Sequence, residues 1–354
     1  MKRILITGGA GFVGSNLAIS FKQEFPSHEI ICFDNLKRRG SELNISRLLD
    51  NGIEFIHGDV RCKEDFHEIK EVDFIIDASA EPSVLAGIYS PIEQVYNNNL
   101  TGTVNCLELA KRFNAAFIFL STSRIYPIKT LESLNFIEKE TRFELSKQQS
   151  IPGVSERGVA EEFPLNGSRS FYGTTKLASE LMITEYSALA GVKAVINRCG
   201  VITGPWQMGK VDQGVVVLWM ARHFWKQKLS YIGYGGFGKQ TRDILHVNDL
   251  FALIKWQLEN IDRINGETFN VGGGLDGTVS LLELTQFCQE ITGNKIEIER
   301  VAETRPADIK FYCTDNTKVF STTGWTPQTK PLEIMKGVYQ WIKANESSLT
   351  KILK

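Results

Sequence analysis

Thr7-Gly8-Gly9-Ala10-Gly11-Phe12-Val13-Gly14 follows the apolar run Arg3-Ile4-Leu5-Ile6 and precedes a stretch with helical spacing. Glycines at 8, 11 and 14 between a strand and a helix are the arrangement that cradles a dinucleotide. Gly8 permits a tight turn, Gly11 lets the backbone approach a pyrophosphate, and Gly14 lets helix and strand pack closely. The free N–H groups at the start of that helix then face the phosphates. Asp34 closes a second strand twenty residues beyond Gly14, where a carboxylate accepts hydrogen bonds from ribose hydroxyls and repels a 2′-phosphate. This reading selects NAD over NADP. Lys37, Arg38 and Arg39 keep a phosphate contact open beside the alternative of a solvated loop.

Working outward, the runs at 3–7, 29–34, 54–57, 73–77, 116–121 and 193–198 are apolar without helical period, as strands buried on both faces are. They alternate with helical patterns at 11–24, 41–50, 97–113 and 173–190. The fold expected is α/β: a Rossmann-type doubly wound parallel sheet, with ligands beyond the carboxyl ends of its strands. Residues 127–170 interrupt the rhythm as a long polar excursion. From about 200 glycine and tryptophan become frequent, and helical patterns at 279–292 and 331–346 follow. This predicts an NAD-binding domain over 1–198 and a smaller C-terminal α/β substrate-binding domain mainly over 199–354, with about 235–275 returning to the first.

The 354 residues are 42% hydrophobic, and 40 Lys+Arg against 41 Asp+Glu leave a net charge of −1. That balance argues against a nucleic-acid partner, and no apolar run is long enough to cross a membrane. Six cysteines without C-x-x-C spacing read as reduced thiols of a cytoplasmic protein, with no metal site expected. The N-terminus reads as a first strand rather than a signal peptide.

Tyr172 and Lys176 stand four apart at the opening of a helical stretch, so both side chains share one face. In a nicotinamide-binding fold a cation there lowers the phenol pKa, letting Tyr172 act as a base near neutrality. Ser121-Thr122-Ser123 ends a strand upstream, where a hydroxyl can bridge substrate oxygen and phenol. Asp59, after the third strand, reads equally as an adenine contact or a turn aspartate.

Together these segments resemble the extended short-chain dehydrogenases/reductases of the nucleotide-sugar epimerase/dehydratase family, over nearly the whole chain. The resemblance rests on Thr7–Gly14, Asp34-Asn35-Leu36, Asn99-Leu-Thr-Gly-Thr103, the Ser-Thr-Ser strand end and Tyr172-x-x-x-Lys176. It implies catalytic Thr122, Tyr172 and Lys176, with Thr122 set by its place ahead of Ile125-Tyr126. It also implies an NAD site lined by Gly8, Gly11, Phe12, Val13, Gly14, Asp34, Asn35, Asp59, Val60, Ala78, Ser79, Ala80 and Asn99. The sugar-nucleotide side would comprise Ser123, Arg198, Gln207, Asp212, Gln213, Arg242, Arg305 and Asp308, with Arg242 and Arg305 on the diphosphate because guanidinium forks match phosphate oxygens. A homodimer or homotetramer seamed by 97–113 and 173–190 is usual in such proteins.

The narrower likeness is to the CDP-paratose (CDP-tyvelose) 2-epimerases, carried by Gln207-Met-Gly-Lys-Val-Asp212-Gln213-Gly214-Val215, Glu140-Thr-Arg142 and the long interval between Tyr126 and Tyr172. It implies oxidation at C2, reorientation of the ketosugar and hydride return to the opposite face. The rival reading is a 4-epimerase of a UDP-hexose or UDP-uronate. A dehydratase needs an acidic pair after the catalytic Thr, where Ser123 and Arg124 stand. From another class, the chain would be a non-catalytic NAD-binding sensor or scaffold. Pro127 and Glu81-Pro82 depart from the family pattern near the expected mouth of the site.

Overall fold

The structure is a computed structural model that describes residues 1–209 and 213–354. The chain divides into two compact units, one of Met1–Ile125, Ser170–Cys199 and Leu250–Phe269, the other of Tyr126–Arg169, Gly200–Asp249 and Asn270–Lys354.

The first unit is built on strands β1 (Arg3–Thr7), β2 (Glu29–Asp34), β3 (Glu54–His57), β4 (Phe74–Asp77), β5 (Ala116–Thr122) and β6 (Ala194–Cys199), with β7 (Thr268–Val271) completing a seven-stranded sheet. The order is β7-β6-β5-β4-β1-β2-β3, and parallel ladders join β1 to both β2 and β4. The direction of winding therefore reverses between β1 and β4, the switch point where doubly wound sheets bind ligands. Helices α1 (Phe12–Glu24), α2 (Leu43–Asp50), α3 (Gly102–Phe113) and α4 (Phe171–Ala190) supply the crossovers. Leu5, Ile31, Phe33, Ile75, Phe117, Phe119 and Ile196 belong to one buried core cluster with Leu107 and Ile183 from the helices. Continuous burial of β5 matches its unbroken apolar run.

The helical pattern read at 97–113 is not one helix. Asn97–Thr101 forms a single π-helical turn ahead of α3. The main-chain oxygen of Asn99 there accepts a hydrogen bond from the Ser179 hydroxyl (2.7 Å) and lies 2.9 Å from the Thr103 hydroxyl, so side chains share the work of the helical ladder.

The second unit holds a small mixed sheet of Val201–Thr203, Thr241–His246 and Thr278–Ser280, with Phe311–Tyr312 pairing onto Thr241–His246. Leu229–Ile232 and Ile298–Val301 pair separately in parallel. Helices Val215–Phe224, Leu281–Thr292 and Pro331–Ala344 pack on one another. The polar excursion after 127 becomes a short helix, Ile128–Glu132, and two hairpins, Phe136–Glu138 with Phe143–Leu145 and Val154–Ser155 with Gly158–Val159. Pro127 caps that helix at φ −65°, a value proline favours, so this departure from glycine carries no backbone strain.

Candidate active site

The carboxyl ends of β1, β2, β4 and β5 present Thr7, Asp34, Asp77 and Thr122. At the end of β1 the chain turns through Gly8 at φ +63°, a conformation costly for any residue with a Cβ. A methyl on Gly14 would lie 2.2 Å from the Gly8 carbonyl oxygen, so α1 starts directly against the turn, where the first N–H groups of a helix lack intrahelical partners. Phe12 and Val13 form the first turn of α1.

Asp34 is largely buried, which pushes its carboxyl pKa up; the amides of Leu36 (2.7 Å) and Ala10 (3.1 Å) donate to it and oppose that rise. It thereby ties the end of β2 to the glycine turn. Asn35 donates to Asp59 at 2.9 Å, bringing together two of the expected cofactor residues. Arg61 holds Asp59 well below the carboxylate range, at about 2, through bonds of 2.5 and 2.8 Å. Val60 is buried, and its carbonyl accepts from Asn105 at 2.8 Å. The Ala78-Ser79-Ala80 loop follows β4 and packs on Gly8. Asn99 brackets Glu81, accepting its N–H at 2.7 Å and donating to its carbonyl at 3.2 Å, while Gln94 donates to the Glu81 carboxylate at 2.9 Å.

Helix α4 begins at Phe171 because Ser170 caps it, its hydroxyl accepting the Gly173 N–H at 3.1 Å. Tyr172 is thus in the first turn with Lys176 one turn on, both buried, at 9% and 1% exposure. The Thr122 hydroxyl at the end of β5 acts on the Tyr172 phenol and lowers its pKa. Ser123 follows in a single 3-10 turn. The Lys176 ammonium lies 3.7 Å over the Phe119 ring. These three side chains converge in one unit. Burial pushes Tyr172 up to about 12, against the Thr122 hydrogen bond and Arg124, and brings Lys176 down to about 8, against Asp77, Cys199 and Glu180. The expected lowering of the phenol by Lys176 is not what sets Tyr172 here: desolvation dominates, and the opposing influences are Thr122 and Arg124.

The glycine cradle and the Asp34 carboxylate, both fixed by backbone geometry, fit a dinucleotide whose pyrophosphate meets α1 and whose ribose meets Asp34. The chain matches the NAD dependent epimerase/dehydratase family over residues 4–272. It belongs to that family.

A CDP-paratose 2-epimerase of Salmonella typhi is 30% identical over 353 residues, covering 96% of this chain and 98% of its own. Among solved structures, the dTDP-glucose 4,6-dehydratase of Bacillus anthracis in complex with NAD superposes with a TM-score of 0.78 at 24% identity, covering all of both chains. The UDP-glucuronic acid 4-epimerase of Bacillus cereus in complex with UDP-glucuronic acid and NAD superposes at 0.78 and 22% identity, covering 97% and 99%. Both likenesses establish the fold.

Of the residues expected on the sugar-nucleotide side of this epimerase/dehydratase, Arg198 lies in the first unit, on β6. Its guanidinium spans Glu180 of α4, Nη2 to Oε2 at 2.8 Å and Nε to Oε2 at 3.1 Å, with both side chains buried. Ser121 donates to the same carboxylate at 2.5 Å. In the second unit Gln207 accepts from Thr203 at 2.9 Å and donates to the Ile202 carbonyl at 3.0 Å. Gln213 makes an isolated bridge, and Asp212 lies outside the described residues. Arg242 meets Asp308 at 2.9 Å and the Ile309 carbonyl at 2.5 Å, and Arg305 lies in the same segment, its carbonyl accepting the Asp308 N–H at 3.2 Å. Asp77 and Glu180 were not singled out from the sequence. A polar residue ending or facing an otherwise apolar strand or helix is the signal that marks them. Among the described residues no three His, Cys, Asp or Glu side chains group as metal ligands, and no helix is long and apolar enough to cross a membrane.

Proposed function

We propose that this chain is an NAD-dependent nucleotide-sugar epimerase that acts by transient oxidation, with 2-epimerisation of a CDP-dideoxyhexose as its reaction. The convergence of Thr122, Tyr172 and Lys176 at the carboxyl edge of a dinucleotide-binding sheet carries the reaction class. The Salmonella relative, aligned end to end, supports the CDP-sugar.

In this reading Gly8, Gly11, Phe12, Val13 and Gly14 hold the pyrophosphate, Asp34 and Asn35 the adenosine ribose, and Val60 with Ala78, Ser79 and Ala80 the walls of the site. The bound nicotinamide supplies hydride acceptance and return. Tyr172 takes the proton of the sugar hydroxyl and gives it back, Thr122 holds that oxygen and the phenol in line, and Lys176 provides the positive charge that makes a phenolate accessible. Arg242 and Arg305 are the residues for the substrate diphosphate, and Gln207, Gln213 and Asp308 are for the rest of the sugar nucleotide. Arg198, paired with Glu180, supports β6 rather than the substrate. Asp59, with Arg61 and Asn35 on its oxygens, shapes the adenine loop through its main chain. A dehydratase is disfavoured because Ser123 and Arg124, not acids, follow Thr122. We also propose a homo-oligomer, since Tyr96, Leu181 and Leu189 leave large apolar side chains exposed around α3 and α4.

The test is NMR and mass analysis of CDP- and UDP-sugars incubated with the protein in heavy water without added NAD, beside Tyr172→Phe. Stereochemical change at C2 of a CDP-sugar without solvent deuterium, abolished in the variant, is the expected result. Change at C4 of a UDP-sugar selects the rival epimerase, and no turnover with NAD tightly bound overturns the enzymatic reading.

A further inference from the structure

We infer that Asp77 is a positioning residue for the reaction: a fixed buried negative charge at the end of β4 that keeps the Lys176 ammonium protonated inside an apolar site. The inference rests on the role proposed for Lys176. Four hydrogen bonds converge on the fully buried Asp77 carboxylate, from the hydroxyls of Thr7 (2.7 Å), Ser79 (2.7 Å) and Thr103 (2.8 Å) and the amide of Ser79 (3.2 Å). The amide can only donate and the three hydroxyls are able to, so the set suits a carboxylate, and none brings a cation of its own.

The charge is aimed by the sheet. Asp77 on β4 is the register partner of Phe119 on β5, and the Lys176 ammonium rests 3.7 Å above that Phe119 ring. Paired residues on neighbouring strands project to the same face, so carboxylate and ammonium share one side of the sheet. Cys106 of α3 senses both of them, its thiol raised by burial and by Asp77 and lowered by Lys176. The other titratable groups facing Lys176 are Cys199 on β6, Glu180 on its own helix and Cys106, and Asp77 is first among the influences that raise it. Glu180 already answers Arg198. An apolar pocket favours neutral lysine; Asp77 offsets that, and without it the ammonium that supports Tyr172 is lost at lower pH.

Asp77→Asn tests this with little disturbance. The amide oxygen keeps the Thr7 and Ser79 donors, and the amide nitrogen donates to Thr103, whose hydroxyl then turns its proton to the Asn99 carbonyl it already meets at 2.9 Å. The readout is the titration of Lys176 by NMR of protein carrying ε-13C lysine, the signal identified by its loss in Lys176→Arg. A midpoint near 8 is expected in the native chain. In Asp77→Asn it falls by about one unit or more, as removal of a unit charge within a partly desolvated site requires. The limb of the pH–rate profile that follows Lys176 moves with it. Thr103→Val, which removes a hydrogen bond but no charge, leaves the midpoint in place. An unmoved midpoint in Asp77→Asn overturns the inference. So does a native midpoint below about 7, which needs no variant to fold. Because the titration is independent of turnover, failure to find a sugar substrate leaves it readable.

Discussion

Arg198→Met separates a structural ion pair from a substrate contact. The Arg198 and Glu180 side chains are 10% and 5% exposed, and three hydrogen bonds of 2.8 to 3.3 Å join them. Removing the guanidinium leaves a carboxylate in the interior with Ser121 as its remaining donor here. Breaking a buried pair in this way costs about 3–5 kcal/mol, and the surviving Ser121 bond places the expectation at about 3 kcal/mol at pH 7. The orphaned Glu180 would have a raised pKa, so its penalty falls with pH as the acid takes up a proton. At about pH 4.5 the variant should recover part of its loss relative to the native chain. The double variant Arg198→Met with Glu180→Met removes both charges together and should lie within about 1.5 kcal/mol of the native protein. Urea unfolding of the native protein, the single variants Arg198→Met and Glu180→Met and the double variant, compared at matched slopes, gives the coupling directly. KM for the sugar nucleotide should stay within about threefold in the double variant, an energy difference below 1 kcal/mol. A loss under about 1 kcal/mol in Arg198→Met, joined to a tenfold rise in KM, would refute the reasoning and return Arg198 to the substrate.

Gly14→Ala sets a methyl against the Gly8 carbonyl oxygen at 2.2 Å and should cost at least about 1–3 kcal/mol together with NAD retention, whereas Gly337→Ala, with nothing within 4 Å inside helix Pro331–Ala344, should stabilise by about 0.5–1 kcal/mol; thermal melts and bound-nucleotide absorbance decide both. Asp34→Asn should raise the ratio of NADP to NAD affinity by about tenfold or more, read by calorimetry, and an unchanged ratio would show that Asp34 does not face the ribose 2′ position. The Asp59 pKa is depressed to about 2 by Arg61, so its stabilisation is complete above the ordinary carboxylate value and disappears as pH falls through 2. The stability difference between the native chain and Asp59→Asn should therefore be constant above about pH 5 and close toward pH 2.

The dinucleotide-binding fold was legible because its determinants are local. Gly11 and Gly14 answer to the Gly8 carbonyl within six residues, and apolar runs such as Ala116–Thr122 have no other place than a doubly covered sheet. Tyr172 and Lys176 were legible for the same reason, since one helical turn sets their relation. The π-turn at Asn97–Thr101 was not, because it depends on Ser179 from α4, eighty residues away. Asp77 and Glu180 were hidden differently. A carboxylate in Phe-Ile-Ile-Asp or Ala-Ser-Glu-Leu reads as a strand end or a solvated helix face until its partners are known, and those partners lie on other elements. Motif neighbours alone place Arg198 on the substrate. The structure adds what no spacing contains, that Glu180 stands opposite it.

The opposite displacements of Tyr172 and Lys176 share one cause, since withdrawal from water favours the neutral form of each. Burial alone therefore yields a phenol that keeps its proton and an amine that gives one up, the reverse of what a base near neutrality needs. Positive charge has to be retained against desolvation, and only anions behind Lys176 can retain it. Among the described residues two such acids stand in different situations. Glu180 is neutralised by Arg198 and joins α4 to β6, so its loss should act first on stability. Asp77 is satisfied by hydroxyls and an amide, which stabilise its charge without cancelling it, so its field reaches Lys176 undiminished by a counterion. A single buried acid solvated by dipoles rather than by a cation is thus the arrangement that tunes a neighbour. On this argument the same neutralising change should unfold the site at one position and detune it at the other.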